Sequence, residues 1–165
     1  MKNLFLSVFF VLALVANSFA VDKNKTSKKE TGASYFAKNN FNSKFQGAKD
    51  VEWSNVDNYY KAAFTLNGEK KSAFFDAQGE YVATTQYIKA DKIPAESLAR
   101  LKKLYKDYTI GEVLHFEVDN TASTLPYSFS SGNDNSFYFV SLRKSDSQIV
   151  VKINEQSEIS YFKSL

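Results

Sequence analysis

The sequence predicts an α+β fold: two α-β-β-β(-β) halves forming one antiparallel sheet, with two helices packed on one face. Three observations predict it. The spacing of apolar residues switches from helical to alternating, and does so twice along the chain. Turn signals separate the alternating segments. Finally, Phe75-Asp76-Ala77-Gln78-Gly79-Glu80-Tyr81 is echoed by Ile153-Asn154-Glu155-Gln156-Ser157-Glu158-Ile159, and the same shift places Tyr60 on Tyr138 and Phe64 on Leu142. Internal echoes of this kind mark repeated supersecondary units. They set the halves at about residues 33–90 and 91–165.

Residues 1–20 read as a signal peptide. Lys2 gives a positive start, an apolar run follows from Leu4 to Ala16, and Ser18-Phe19-Ala20 has the small residues of a cleavage site. The run is shorter than the roughly 20 residues of a membrane span, so no transmembrane segment is expected after cleavage. Residues 21–32 carry four lysines and almost nothing apolar, the composition of a disordered basic linker. The folded domain is expected over 33–165.

Phe36, Phe41 and Phe45 place a short helix over 34–45, stopped at Gly47. Val51 and Trp53 then alternate with polar neighbours, and Trp53 is expected in the core. Residues 54–58 read as a turn. Tyr60, Ala62, Phe64 and Leu66 form the next strand, and Asn67-Gly68 signals a tight type I′ hairpin. Strands follow at 69–76 and 80–88, joined by Asp76-Ala77-Gln78-Gly79. Ile93-Pro94 opens a second helix whose apolar face carries Leu98, Leu101, Leu104, Tyr105 and Tyr108. Further strands are expected at 113–118, 137–143, 148–153 and 158–162, with a Ser/Asn-rich loop over 120–135.

A two-residue turn at Asn67-Gly68 fixes which side chains share a face. One face gathers Tyr60, Ala62, Phe64, Ala73, Phe75, Tyr81 and Ala83, where alanines between aromatics suit a surface that receives a helix. The opposite face carries Tyr59, Lys61, Ala63, Ser72, Phe74, Val82 and Thr84. Its mixture of aromatic and polar groups is what a half-wetted, partner-binding surface presents. The candidate partner-binding residues are Tyr59, Lys61, Phe74, Val82 and Thr84.

Composition excludes much chemistry. There is no cysteine, hence no disulfide, thiolate metal site or thiol nucleophile. His115 is the only histidine, and a catalytic zinc site needs more. It reads as an exposed or hydrogen-bonded strand residue, with Glu117 on its face. Asp76, Gln78 and Glu80 lack the remaining ligands of a calcium loop. No metal or cofactor is expected. The formal net charge of +3 falls when Lys2 leaves, which gives no footprint for nucleic acid.

The stretch Phe45-Gln46-Gly47-Ala48-Lys49-Asp50-Val51-Glu52-Trp53 resembles the F-P-G-A-K-x-V-x-W opening of PepSY-like proteins of Bacteroidetes, with Gln46 in place of the proline. The resemblance continues through Tyr60-Lys61-Ala62-Ala63-Phe64, Asn67-Gly68-Glu69-Lys70, the hairpin Phe74 to Tyr81, and Ile93-Pro94-Ala95. It implies a fold similar to the β-lactamase-inhibitor protein domain, periplasmic or secreted localisation, and no enzymatic activity. The function expected is an exported, non-catalytic binding module. It would hold a protein or peptide of the cell envelope on its open sheet face, inhibiting or restraining a partner such as a peptidase. The alternative is a small-molecule or cell-envelope binder that uses the basic linker.

Overall fold

The computed structural model describes residues 32–119 and 134–165. The expected signal peptide, nearly all of the basic linker and most of the 120–135 loop lie outside the described residues.

The first helix, α1 (Tyr35–Lys44), starts where Ser34 Oγ accepts a hydrogen bond from the Ala37 N–H at 3.1 Å, a side-chain cap that satisfies an otherwise orphaned donor. Four strands follow: β1 (Lys49–Val56), β2 (Tyr59–Leu66), β3 (Glu69–Phe75) and β4 (Tyr81–Ile88). A 3-10 turn at Ala90–Lys92 leads into α2 (Ala95–Leu104), preceded by Pro94. Then come β5 (Thr109–Val118), β6 (Ser136–Lys144), β7 (Ser147–Ile153) and β8 (Ile159–Ser164). All eight strands form one antiparallel sheet in sequential order, each paired with its neighbour in the chain. The fold is therefore α+β, with two α-helices and one sheet among the described residues.

The hairpin at Asn67-Gly68 is a two-residue turn with both residues at positive φ, 54° and 82°. It sets the expected register, with Leu66 opposite Glu69, Ala62 opposite Ala73 and Tyr60 opposite Phe75. The turn expected over 54–58 is tighter than that. Strand β1 runs on to Val56, and only Asp57 and Asn58 make the reversal, Asp57 with φ 52°. Asp and Asn tolerate this left-handed conformation better than other side chains, so the strand needs no longer connection.

Both helices lie on one face of the sheet. Under α1, Ala37 and Phe41 pack with Ala62, Phe64, Ala73 and Phe75, joined by the half-buried Trp53. Phe41 meets the rings of Phe64, Trp53 and Phe75 at 5.0, 5.5 and 6.3 Å between centroids. Offset and edge-on contacts in this range add to the burial of the rings. Under α2, Leu101 packs with Ile93, Val113, Val140, Leu142, Val151 and Ile153. Leu104, expected on this apolar side, is exposed.

Candidate partner-binding face

A bulge decides which side chains reach the second face. Phe75 pairs with Tyr81, but Phe74 pairs with Ala83 and Ala73 with Thr84, so the register slips between Phe74 and Phe75. An extra residue in one strand turns every later side chain to the other face. Ala83, expected beneath the helix, therefore points to the second face. Thr84, expected on that face, sits on the helix side, where its Oγ1 lies 2.8 Å from the Tyr81 hydroxyl. Tyr59, Lys61, Phe74 and Val82 remain together on the second face, and Thr84 is separated from them.

The second face is also drier than the sequence implied. Lys61 is 7% exposed, Phe74 6%, Val82 4% and, on the helix side, Thr84 4%. Among the described residues, the centre of the second face is a third apolar cluster of strand residues: Val82, Ala83, Leu114, Val118, Phe137, Phe139 and Val150, with Tyr59, Phe116 and Phe162 partly buried around it. Phe139 contacts Phe162 at 4.9 Å and Phe116 at 6.0 Å. The half-wetted face is thus wet only at its margins, where Tyr59, Phe116 and Phe162 are half-buried and Tyr87 is exposed. The alternation of Leu114, Phe116 and Val118 announced part of this cluster in the sequence. Phe137, Phe139, Val150 and Phe162 were missed because their strands carry apolar residues on both faces, and neither face stands out by pattern.

Three lysines share this face. Lys61 stands opposite Phe74, Lys152 opposite Phe139, and Lys163 opposite Val150. The Lys152 ammonium lies 3.8 Å from the centre of the Phe137 ring, inside the range of a cation–π contact. Burial holds the ammonium groups of Lys61, Lys152 and Lys163 below their ordinary pKa, and Asp134 partly offsets this for Lys152. Burial raises the Tyr59 phenol, with Asp76 and Asp57 adding to the shift.

Lys61 forms no ion pair among the described residues. Since the folded state disfavours its charge, the unfolded chain binds more protons wherever pH lies between the folded value and 10.5. Stability from this group rises with pH through that window. Lys61→Met should therefore raise the unfolding free energy at pH 7, by about 1 kcal/mol, as measured by urea denaturation. A loss of stability would mean that the polar contacts of the ammonium outweigh the cost of burying its charge.

His115 and Glu117 lie on the helix side, since Gln86 and Tyr138 flank His115 and Thr84 flanks Glu117. His115 Nε2 is 2.7 Å from Ser136 Oγ, and its ring stacks on Tyr138 at 4.8 Å and 18°. This is the hydrogen-bonded strand histidine expected. Its pKa is lowered, chiefly by burial and also by Lys71, with Glu117 opposing. With a folded value below 6.5, the unfolded chain takes up its proton first as pH falls, so this contribution is lost on acidification below 6.5. His115→Gln should flatten part of the decline in stability between pH 7 and 5. An unchanged slope would show that the histidine is not linked to folding. Among the described residues, no three His, Cys, Asp or Glu side chains converge as a metal site.

No family model and no curated protein matches this sequence. Solved structures do. A BLIP-like protein from Bacteroides fragilis superposes with a TM-score of 0.68 at 15% identity, over 81% of this chain and 87% of that one. The fold is BLIP-like. The same BLIP-like arrangement aligns with a DUF2874 family protein from Bacteroides uniformis, with a TM-score of 0.66 at 17% identity over 80% and 90% of the two chains. It also aligns with a proposed periplasmic protein from Bacteroides eggerthii, with a TM-score of 0.65 at 14% identity over 80% and 89%. At these identities the likeness concerns the fold.

Proposed function

We propose that this chain is an exported, non-catalytic, PepSY-like binding module that holds a protein or peptide of the cell envelope, and restrains it, against the sheet face opposite the helices. The observation that carries this reading is the asymmetry of the sheet. Among the described residues, both helices sit on one face, while the other is assembled from strand side chains, with aromatic rings and lysines intermixed. Aromatic anchors supply most of the energy of protein interfaces, and lysine ammonium groups at their margins select acidic partners. The BLIP-like fold supports a binding role, and the likeness to a proposed periplasmic protein supports export.

Within this reading the chain is two matched halves of one helix and four strands. Lys61 and Phe74 face each other across β2 and β3, and the shift that aligns the halves places them on Phe139 and Lys152, which face each other across β6 and β7. At this matched position each half gives the face a lysine facing a phenylalanine, with the strands exchanged. Tyr59 and Tyr87 are the contact residues of the proposal, Lys61 the charged one, and Phe74 and Val82 their support. Thr84 lies outside the surface.

A photo-crosslinking side chain placed at Tyr59 or Tyr87 should trap one envelope protein, and one placed at Glu96 on α2 should not. Tyr59→Ala with Tyr87→Ala should weaken that capture by about tenfold or more, with the protein still folded by circular dichroism at the assay temperature. Trapping from Glu96 alone would move the interface to the helices and end this reading.

A further inference from the structure

We propose that a hollow at the C-terminal end of α2 is a binding site for a small aromatic carboxylate, separate from the sheet face. The hollow has a volume of about 460 Å³, within the roughly 300–1,000 Å³ typical of small-molecule sites. Leu101 and Leu142, both buried, and the half-buried Ile110 form an apolar base. Tyr105 and Tyr108 stand beside it with their rings edge to face at 5.6 Å, leaving an aromatic wall against which a flat ring can stack. Lys102 and Lys106 complete the lining.

The lysines decide the sign of the ligand. Lys102 stands in the last turn of α2 and Lys106 just beyond its end, both exposed, and neither forms an ion pair among the described residues. A third cation nearby, Lys144, is held by Asp107 at 3.4 Å. A helix C-terminus favours positive side chains, which accounts for lysines at this end. It does not account for an apolar, tyrosine-walled hollow between them and the sheet. A carboxylate in the hollow would meet opposite charge from the lysines that line it while its ring covered Leu101, Ile110 and Leu142. The same lysines would repel an amine, and a neutral amide would offer them no charge.

The test uses 4-phenylbutyrate as probe, with its amide and 4-phenylbutylamine as controls, followed by amide chemical shifts of the isotope-labelled protein. The acid should saturate, with shifts centred on Tyr105, Tyr108 and Ile110, and the amide should bind about tenfold more weakly or worse, the weight of a charge-assisted contact. Lys102→Glu with Lys106→Glu, both exposed and so harmless to folding, should abolish saturation. Ile110→Trp, checked for folding by circular dichroism, should do the same by filling the hollow. Failure of the acid to saturate by about 10 mM, equal binding of acid and amide, shifts centred elsewhere, or binding that survives either folded variant would each overturn the proposal. None of these outcomes bears on partner capture through Tyr59 and Tyr87.

Discussion

Phe75→Ala will lower the unfolding free energy by about 3–5 kcal/mol, and Phe74→Ala, one residue away on the opposite face, will lower it by a similar amount. Phe75 is fully buried, with the rings of Trp53 and Tyr81 at 5.7 and 5.9 Å and Phe41 just beyond them. Removing it leaves a hollow that the surrounding rings cannot close without leaving their contacts. The chain has no disulfide to hold a weakened fold together. A domain of this size is stable by only about 5–15 kcal/mol, so either change should lower the denaturation midpoint substantially. Tyr161→Ala, on an exposed ring of the edge strand, should stay within about 0.5 kcal/mol and serves as the reference. The diagnostic part is Phe74. If the face it occupies were washed by solvent, its truncation would cost little. A large cost there means that the sheet carries a core on each side. An inexpensive Phe74→Ala beside a costly Phe75→Ala would show that only the helix side is packed.

This double burial explains which features the sequence disclosed. The Asn67-Gly68 pair specified its hairpin residue by residue, because few sequences place two consecutive residues at positive φ so easily. The second helix was legible from Leu98 and Leu101, since a stripe on one side of a helix is a strong pattern; the first was marked by Phe41 and Phe45, while Phe36 is exposed. The bulge opposite Phe74 and Phe75 was not. Val82, Ala83, Thr84 and Thr85 are all compact, and all four are buried, so no contrast in polarity marks where the alternation slips. Uninterrupted alternation from Tyr81 onward puts Ala83 and Thr84 on each other's faces. The candidate site suffered from the same blindness. Tyr59, Lys61, Phe74 and Val82 could be placed on one surface from the hairpin register. Lys152, Lys163 and Phe162, which share it, come from strands far along the chain and meet the first four only once the central strands β4, β5 and β6 are laid between them.

The turn that follows Phe75 carries the other large effect, because Gly79 is where α1 rests on the sheet. Asp76 organises the turn: its Oδ1 accepts from the N–H groups of Gln78 and Glu80 at 3.0 and 2.9 Å. That leaves Gly79 at φ +87°, with Asn40 Nδ2 donating to its carbonyl at 2.8 Å. A methyl group at Gly79 would sit 2.5 Å from the Ala37 nitrogen and 2.8 Å from Phe36 Cβ. The obstacle is helix backbone, so no rotamer change relieves it. Gly79→Ala combines a backbone penalty of about 1–2 kcal/mol with overpacking of about 1–3 kcal/mol, and should destabilise the domain by about 3 kcal/mol. Hydrogen exchange should locate the damage in α1 and the β3–β4 turn. The corresponding turn between β7 and β8 provides the control. There Asn154 Oδ1 accepts from the Glu158 N–H at 2.8 Å, and Ser157 takes the left-handed position at φ 61°. A side chain is tolerated at Ser157 because it meets α2 through a hydroxyl pair, Ser157 Oγ to Ser97 Oγ at 2.8 Å, and not through bare backbone. Ser157→Gly eases the backbone while stranding Ser97, two terms of about 1 kcal/mol that oppose each other. Its net effect should therefore be small. If Gly79→Ala proved equally mild, α1 would be a passenger on the sheet, and the packing of Phe41 against Phe64 and Phe75 would have to be secured from the sheet side alone.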